Sequence, residues 1–249
     1  MIDSLISIIT PTYKRAGNVE ATALFGNRLI LACHEFEAAE YKEAHPNNQH
    51  LIIPDGRRGN MGKVRNFILD NSPTDSILMV DDDVKAIGTH EAMKRNITLS
   101  NDRVVRLIEN GFRMADELGT ILWGLNQQSD PRFYMDYTPF NFLSPILGPF
   151  CGITRRKGMK ARYDERLGLN EDYDFSIQAM HQYRKILGFN KYHYVAGHLK
   201  EEGGCGAYRT LKREREQAEI MVKKWGDKVV KYNFAKSTNP LVHVPIRGV

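Results

Sequence analysis

The sequence predicts an α/β fold: a mostly parallel central sheet flanked by helices, with a small antiparallel ribbon on one side. Three observations carry that prediction. Short, continuous apolar runs recur at Leu5–Thr10, Leu51–Ile53 and Ile77–Val80, as expected of buried strands. Turn residues and helix-like stretches alternate with them. The run Ile77-Leu78-Met79-Val80 passes directly into Asp81-Asp82-Asp83. Strand ends in open α/β sheets face the ligand crevice, so the three carboxylates are expected there.

In chain order, Leu5–Thr10 is the first strand, stopped by Pro11. The polar turn Thr12–Asn18 follows, and a helix is expected from about Val19 to Tyr41, weakened at Gly26. Leu51–Ile53 is a second strand, closed by Pro54-Asp55-Gly56. The glycine-broken basic loop Arg57–Gly62 then enters a helix with Val64, Phe67 and Ile68 on its apolar face. Cations at a helix N-terminus oppose the macrodipole unless an anion binds there, so a diphosphate or a plain solvated loop fits equally well.

After the acidic strand, an amphipathic helix is expected over Asn101–Leu118, then a strand over Thr120–Gly124. Gln127–Asn141 is aromatic and polar, an excursion with a ribbon or loop. Ile146–Thr154 reads as a glycine-punctuated strand, followed by the basic run Arg155-Arg156-Lys157 with Lys160 and Arg162. Asn170 is a suitable N-cap for a helix reaching about Lys185, whose first turn holds Glu171, Asp172 and Asp174. Tyr192–Val195 is a further strand, followed by His198 and a glycine-rich loop, Gly203–Gly206. A charged helix spans about Tyr208 to Trp225, and residues 226–249 read as an extended tail.

The 249 residues, 42% of them hydrophobic, suit one larger α/β domain divided into halves of about 1–99 and 100–225. No apolar run is long enough to cross a membrane and no secretory leader is visible, so a cytoplasmic location is expected. Cys33, Cys151 and Cys205 have no CxxC spacing, which argues against a zinc knuckle or a disulfide framework. A net charge of +5 is compatible with a polyanionic partner.

Three adjacent aspartates repel one another in a low dielectric, and a hard divalent cation, Mn2+ or Mg2+, removes that cost. A solvated acidic turn is the alternative for the aspartates alone. The order of signals resembles the nucleotide-sugar glycosyltransferases of the GT-A fold from about Ser7 to Arg209. Ser7–Tyr13 is similar to the strand that holds the donor nucleoside, Gly62–Asn66 to the Gly-x-x-x-Arg-Asn segment over the donor, and Asp81–Asp83 to the Asp-x-Asp motif. The resemblance implies donor-binding roles for Thr10, Pro11, Thr12, Tyr13, Arg15, Lys63, Arg65, Asp81 and Asp82. It implies metal ligation by Asp81, Asp83 and the late histidine, His198. Gly148–Arg156 resembles the acceptor-side strand, which implies acceptor contacts at Gly152, Arg155 and Arg156, with Glu171 and Asp174 beside them. Glu171-Asp172 resembles the motif whose aspartate is the catalytic base.

Within the fold, motif order looks most like transferases of hypermodified DNA bases, the phage enzymes beside TET-type oxygenases and the base J glucosyltransferases. This implies a UDP-sugar or related donor and a 5-hydroxymethylpyrimidine in DNA as acceptor; inversion is expected if Asp172 acts as base on the face opposite the leaving group. Basic residues at Lys160, Arg162, Lys212, Arg213, Arg215, Lys223 and Lys224 are then candidates to track phosphates, although Glu214, Glu216 and Glu219 make the late helix equally readable as a solvated face. Three other readings stand beside this one: a glycan or other non-DNA acceptor, a metal-dependent nuclease or phosphodiesterase, and a non-catalytic nucleic-acid-binding module.

Overall fold

The computed structural model describes residues 5–91, 95–197 and 209–245. In chain order the elements are β1 (Ile6–Pro11), α1 (Thr22–Phe25), β2 (Leu29–His34), α2 (Ala38–Ala44), β3 (Gln49–Ile53), α3 (Met61–Asn71), β4 (Ser76–Val80), β5 (Val84–Glu91), β6 (Arg95–Thr98), α4 (Asn101–Glu117), β7 (Leu122–Asn126), β8 (Phe140–Asn141), β9 (Phe150–Thr154), α5 (Glu171–Tyr183), β10 (Leu187–Ala196), α6 (Leu211–Trp225), β11 (Val230–Asn233) and β12 (Ser237–Val242). A ten-stranded sheet has the order β3-β2-β1-β4-β9-β7-β10-β5-β6, with β8 beside β10. β3, β2, β1, β4, β7, β10 and β6 run one way, and β9, β5 and β8 run the other. The sheet is mixed but mostly unidirectional, with its antiparallel members gathered in the later half.

Alternation along each strand builds two cores. Ile8, Leu78, Val80 and Trp123 face α4, α1 and α2, whereas Ile9, Ile77, Met79 and Leu122 face α3, α5 and α6. Close packing fixes some positions as glycine. A Cβ on Gly152 would lie 1.9 Å from the Trp123 indole nitrogen, and one on Gly111 would lie 2.6 Å from the same ring.

The structure corrects the expected helix from Val19 to Tyr41. Its middle is the fully buried strand β2, flanked by the short helices α1 and α2. A continuous apolar run of five residues, Leu29-Ile30-Leu31-Ala32-Cys33, has no periodicity to separate strand from buried helix. β5 and β6, which follow the aspartates, carried no strand prediction. The 226–249 tail is in part the hairpin β11–β12, which packs beside α6.

β1, β2, β3, β4 and β7 end at one edge of the sheet. β9 runs antiparallel to β4, pairing Phe150 with Val80 and Thr154 with Ser76. The start of β9 therefore lies at the aspartate edge, and its end lies at the opposite edge.

Candidate active site

Strand alternation carries past the end of β4. Asp81 turns toward the α3–α5 layer and Asp82 toward the α2 layer. Asp82 is 5% exposed, accepting from Thr12 Oγ1 at 2.8 Å and from an Arg15 guanidinium nitrogen at 2.6 Å. Thr12 is in turn bonded to the Tyr41 hydroxyl, which also accepts from the Arg15 N–H. Burial pushes the Asp82 carboxyl up to about 6, against the pull of Arg15 and Thr12. This network shapes the turn after β1, whose Lys14 has φ 56°, the left-handed region.

On the other side, Arg65 of α3 is buried and makes three polar contacts. Its guanidinium lies 3.2 Å from Asp81 Oδ1, 3.3 Å from Glu171 Oε1 and 3.3 Å from the Gly148 carbonyl. The Gly148 N–H donates to Asp172 Oδ2 at 3.0 Å. The backbone of this one residue, its N–H on one side and its carbonyl on the other, thus joins the carboxylate at the end of β4, through Arg65, to the carboxylate at the start of α5. A Cβ on Gly148 would come 2.4 Å from the Arg65 guanidinium, so this position admits no side chain without moving that cation. The Asp81 N–H donates to the Pro149 carbonyl, which locks β4 to the same loop. Burial pushes the Glu171 carboxyl up to about 7, with the Asp172 charge adding to it. Burial also raises Asp172, and hydrogen bonds from backbone N–H groups oppose the rise. Tyr194 and Tyr173 lie near enough to Asp172 for its charge, together with burial, to raise their hydroxyls.

Asp83 is half-buried, and its carbonyl accepts from the Gly197 N–H at 3.1 Å. A Cβ at Gly197 would sit 3.7 Å from Asp83 Oδ2 and 3.8 Å from Glu20 Oε2, so both carboxylates approach one small region. That Glu20 oxygen is buried without a hydrogen-bond partner. Asp81, Asp83 and Glu20 supply the hard oxygens that Mn2+ or Mg2+ prefers, so the donor set fits such an ion. Among the described residues no three metal-binding side chains form a ready cluster. His198 and Gly203–Gly206 lie outside the described residues.

The family model for TET-associated glycosyltransferases matches residues 6–204. The chain belongs to the TET-associated glycosyltransferase family. No curated protein matches it significantly. Among solved structures, a mannosyltransferase from Pyrobaculum calidifontis, in complex with GDP-Man and Mn2+, matches at TM-score 0.54 and 15% identity over 88% of this chain. The match covers 63% of the mannosyltransferase, so the chain spans less than two thirds of that protein. Glucosyl-3-phosphoglycerate synthase from Mycobacterium tuberculosis, in complex with Mn2+, UDP and glucosyl-3-phosphoglycerate, matches at TM-score 0.52 and 13% identity, over 90% of this chain and 80% of that one. The fold of this TET-associated glycosyltransferase is therefore of the GT-A type, and the protein is a glycosyltransferase.

Within this glycosyltransferase the structure gathers Asp81, Asp83, Arg65, Glu171 and Asp172 at one sheet edge, with Thr12, Tyr13 and Arg15 beside them. Thr10 is buried, its hydroxyl unpartnered, and Pro11 ends β1. Lys63 lies in the first turn of α3, its N–H capped by Asn60. Five residues expected at the acceptor or along its phosphates fall elsewhere. Arg155 donates to Asp75 and to the carbonyls of Leu69, Ser72 and Thr74, about 16 Å along β4 from the aspartates. Arg156 pairs with Asp116 of α4, and Arg162 with Asp70. Gly152 is a packing glycine beneath Trp123. Asp174 is fully buried and bonded to Lys224, Trp225 and Gln178, which fastens α5 to α6. Arg65 and Asp82, expected at the donor, are committed to internal partners. Asn170 makes no side-chain cap.

The sequence reading missed a cluster at the ends of β1, β2 and β3. The Tyr13 ring lies 5.7 Å from His34 and 6.1 Å from Phe36, and Arg58 sits 4.9 Å over Phe36. Asp55 accepts from the Phe36 N–H. His34 and Phe36 stood inside the stretch read as helix, which hid their place at a strand end. Among the described residues no helix is long and apolar enough to cross a membrane.

Proposed function

We propose that this glycosyltransferase moves a sugar, with inversion, from a nucleoside-diphosphate donor to the hydroxymethyl oxygen of a 5-hydroxymethylpyrimidine in DNA. The observation that carries the reading is the Gly148 backbone, set between the Arg65–Asp81 pair and Asp172. It supports a donor-side and an acceptor-side carboxylate held in one crevice. The crevice outside the strand ends is where an α/β sheet takes a nucleotide. In this reading the base of a UDP-type donor rests against Tyr13 and Phe36, and Thr12 and Arg15 shape the turn around it.

Asp81 and Asp83, with His198 and Glu20, are the residues to hold Mn2+ or Mg2+. Such an ion, when bound, neutralises the charge that develops on the departing diphosphate. Lys63 and Arg58 add positive charge from the α3 side. Asp172 takes the proton of the acceptor hydroxyl as that oxygen attacks the anomeric carbon, and the bond to the diphosphate oxygen breaks. Arg65 and the Gly148 N–H hold Asp172 and Glu171 in place. The cytoplasm is the expected site of action.

The test is an incubation with a panel of nucleotide sugars, Mn2+ and hydroxymethylated DNA, following nucleoside-diphosphate release and the mass of the DNA. Release that depends on hydroxymethylated DNA, with one hexose or pentose added to it, is the expected result. DNA cleavage without any donor would replace this reading with a nuclease. Release that responds to a glycan but not to DNA would replace the acceptor.

A further inference from the structure

The segment joining β7 to β9 ends at Gly148, inside the site, yet its earlier part makes a surface of its own. Phe133 is 68% exposed, Met135 48% and Tyr137 82%. Side chains this apolar, grouped within five residues and standing in water, mark an interaction surface. The backbone beneath them is pinned. Tyr134 turns inward and stacks on His90 at 5.2 Å, and His90 stacks on His193 at 4.5 Å. His90 also bonds to the Gln128 carbonyl, and Asn96 to the Ser129 carbonyl. Asn190 donates from its side chain to the Thr138 carbonyl and from its backbone to the Pro139 carbonyl. The rings are therefore held out by a fixed scaffold.

Resting on the DNA-acceptor reading above, we propose that Phe133 and Tyr137 form a stacking platform for unpaired bases of the acceptor strand. Aromatic rings on a pinned strip accept the faces of successive bases without regard to sequence. Three exposed cations lie on the backbone in and around the strip. Lys191, exposed, adjoins the Pro139 carbonyl. Arg95, exposed, lies on the edge strand β6 next to Asn96. Arg132 is 76% exposed, with its inner face on Asp130, and Asp136 is the opposing charge within the strip. The strip and Gly148 belong to one segment, and Tyr134 stands over β5, four strands or about 19 Å from β4, so a strand lying on the strip reaches Asp172 a few nucleotides along. This platform replaces the role expected of Arg155 and Arg156, which face the opposite edge.

The probe is a single-stranded oligonucleotide bearing one 5-hydroxymethylcytosine, with binding followed by fluorescence anisotropy. Phe133→Ala and Tyr137→Ala are each expected to weaken binding about tenfold, and the double variant by more. Donor hydrolysis without acceptor should be unchanged, which separates the platform from the catalytic machinery and checks folding. Wild-type affinity in the double variant overturns the platform. So does unchanged DNA affinity with loss of self-association in sedimentation, which would make the patch a contact between copies of the chain. Donor hydrolysis with no DNA binding by the wild-type protein overturns the acceptor reading itself.

Discussion

Asp172→Asn is expected to lower transfer by about two to four orders of magnitude while donor affinity stays near that of the parent. The amide oxygen of asparagine can still accept from the Gly148 N–H, so the loop and helix keep that contact, and the proton acceptor is lost together with the bond from the Tyr173 N–H. The pH dependence of the parent enzyme carries the same information. Burial raises both carboxyls of the Glu171–Asp172 pair, with Glu171 near 7. The active form is the deprotonated base. Activity should be full above the raised values and fall as pH drops below them, above the range of an ordinary aspartate. A profile flat from pH 8 to 5, or near-parental turnover in Asp172→Asn, would remove Asp172 as the base.

Arg65→Met is expected to cost stability. The guanidinium, 3% exposed at its side chain, neutralises Asp81 and Glu171 together. Deleting one partner of a buried ion pair typically costs about 3–5 kcal/mol, because the remaining charge is left uncompensated. A chain of this size loses about 2–4 °C in melting temperature for each kcal/mol, so a fall of roughly 6–20 °C is expected by thermal unfolding. Arg65→Lys keeps the charge but not the three-way fork. It should fold, bind donor, and show a lower kcat with a smaller change in KM. A Met variant as stable as the parent would mean that Arg65 is not the strut between the two carboxylates.

Much of this site was visible in the sequence because its parts sit where strands stop. An apolar run entering three carboxylates places them at a sheet edge, and acids in the first turn of a helix place Glu171 and Asp172 at an N-terminus. The sequence could not show which way each neighbour points. Asp82 has the same local context as Asp81 and Asp83, yet alternation sends it into the Thr12–Arg15–Tyr41 network. Strand direction was equally hidden. Arg155 and Arg156 follow a glycine-bearing strand, and only the antiparallel pairing of β9 with β4 puts them at the far edge. β2 was lost inside a stretch rich in Ala, Leu and Glu, and with it the His34–Phe36 corner. Glu20 carried no motif; its buried, unpartnered oxygen beside Asp83 needed coordinates to be seen.

The central claim is that the aspartates after β4 and Asp172 of α5 serve one reaction from two sides. It is tested most directly by a crystal structure of the Asp172→Asn protein with an intact nucleotide sugar and Mn2+. The metal and diphosphate are expected at Asp81 and Asp83, with residue 172 across the sugar ring from the leaving oxygen. A diphosphate bound away from Asp83, or residue 172 on the same face as the leaving group, would contradict it.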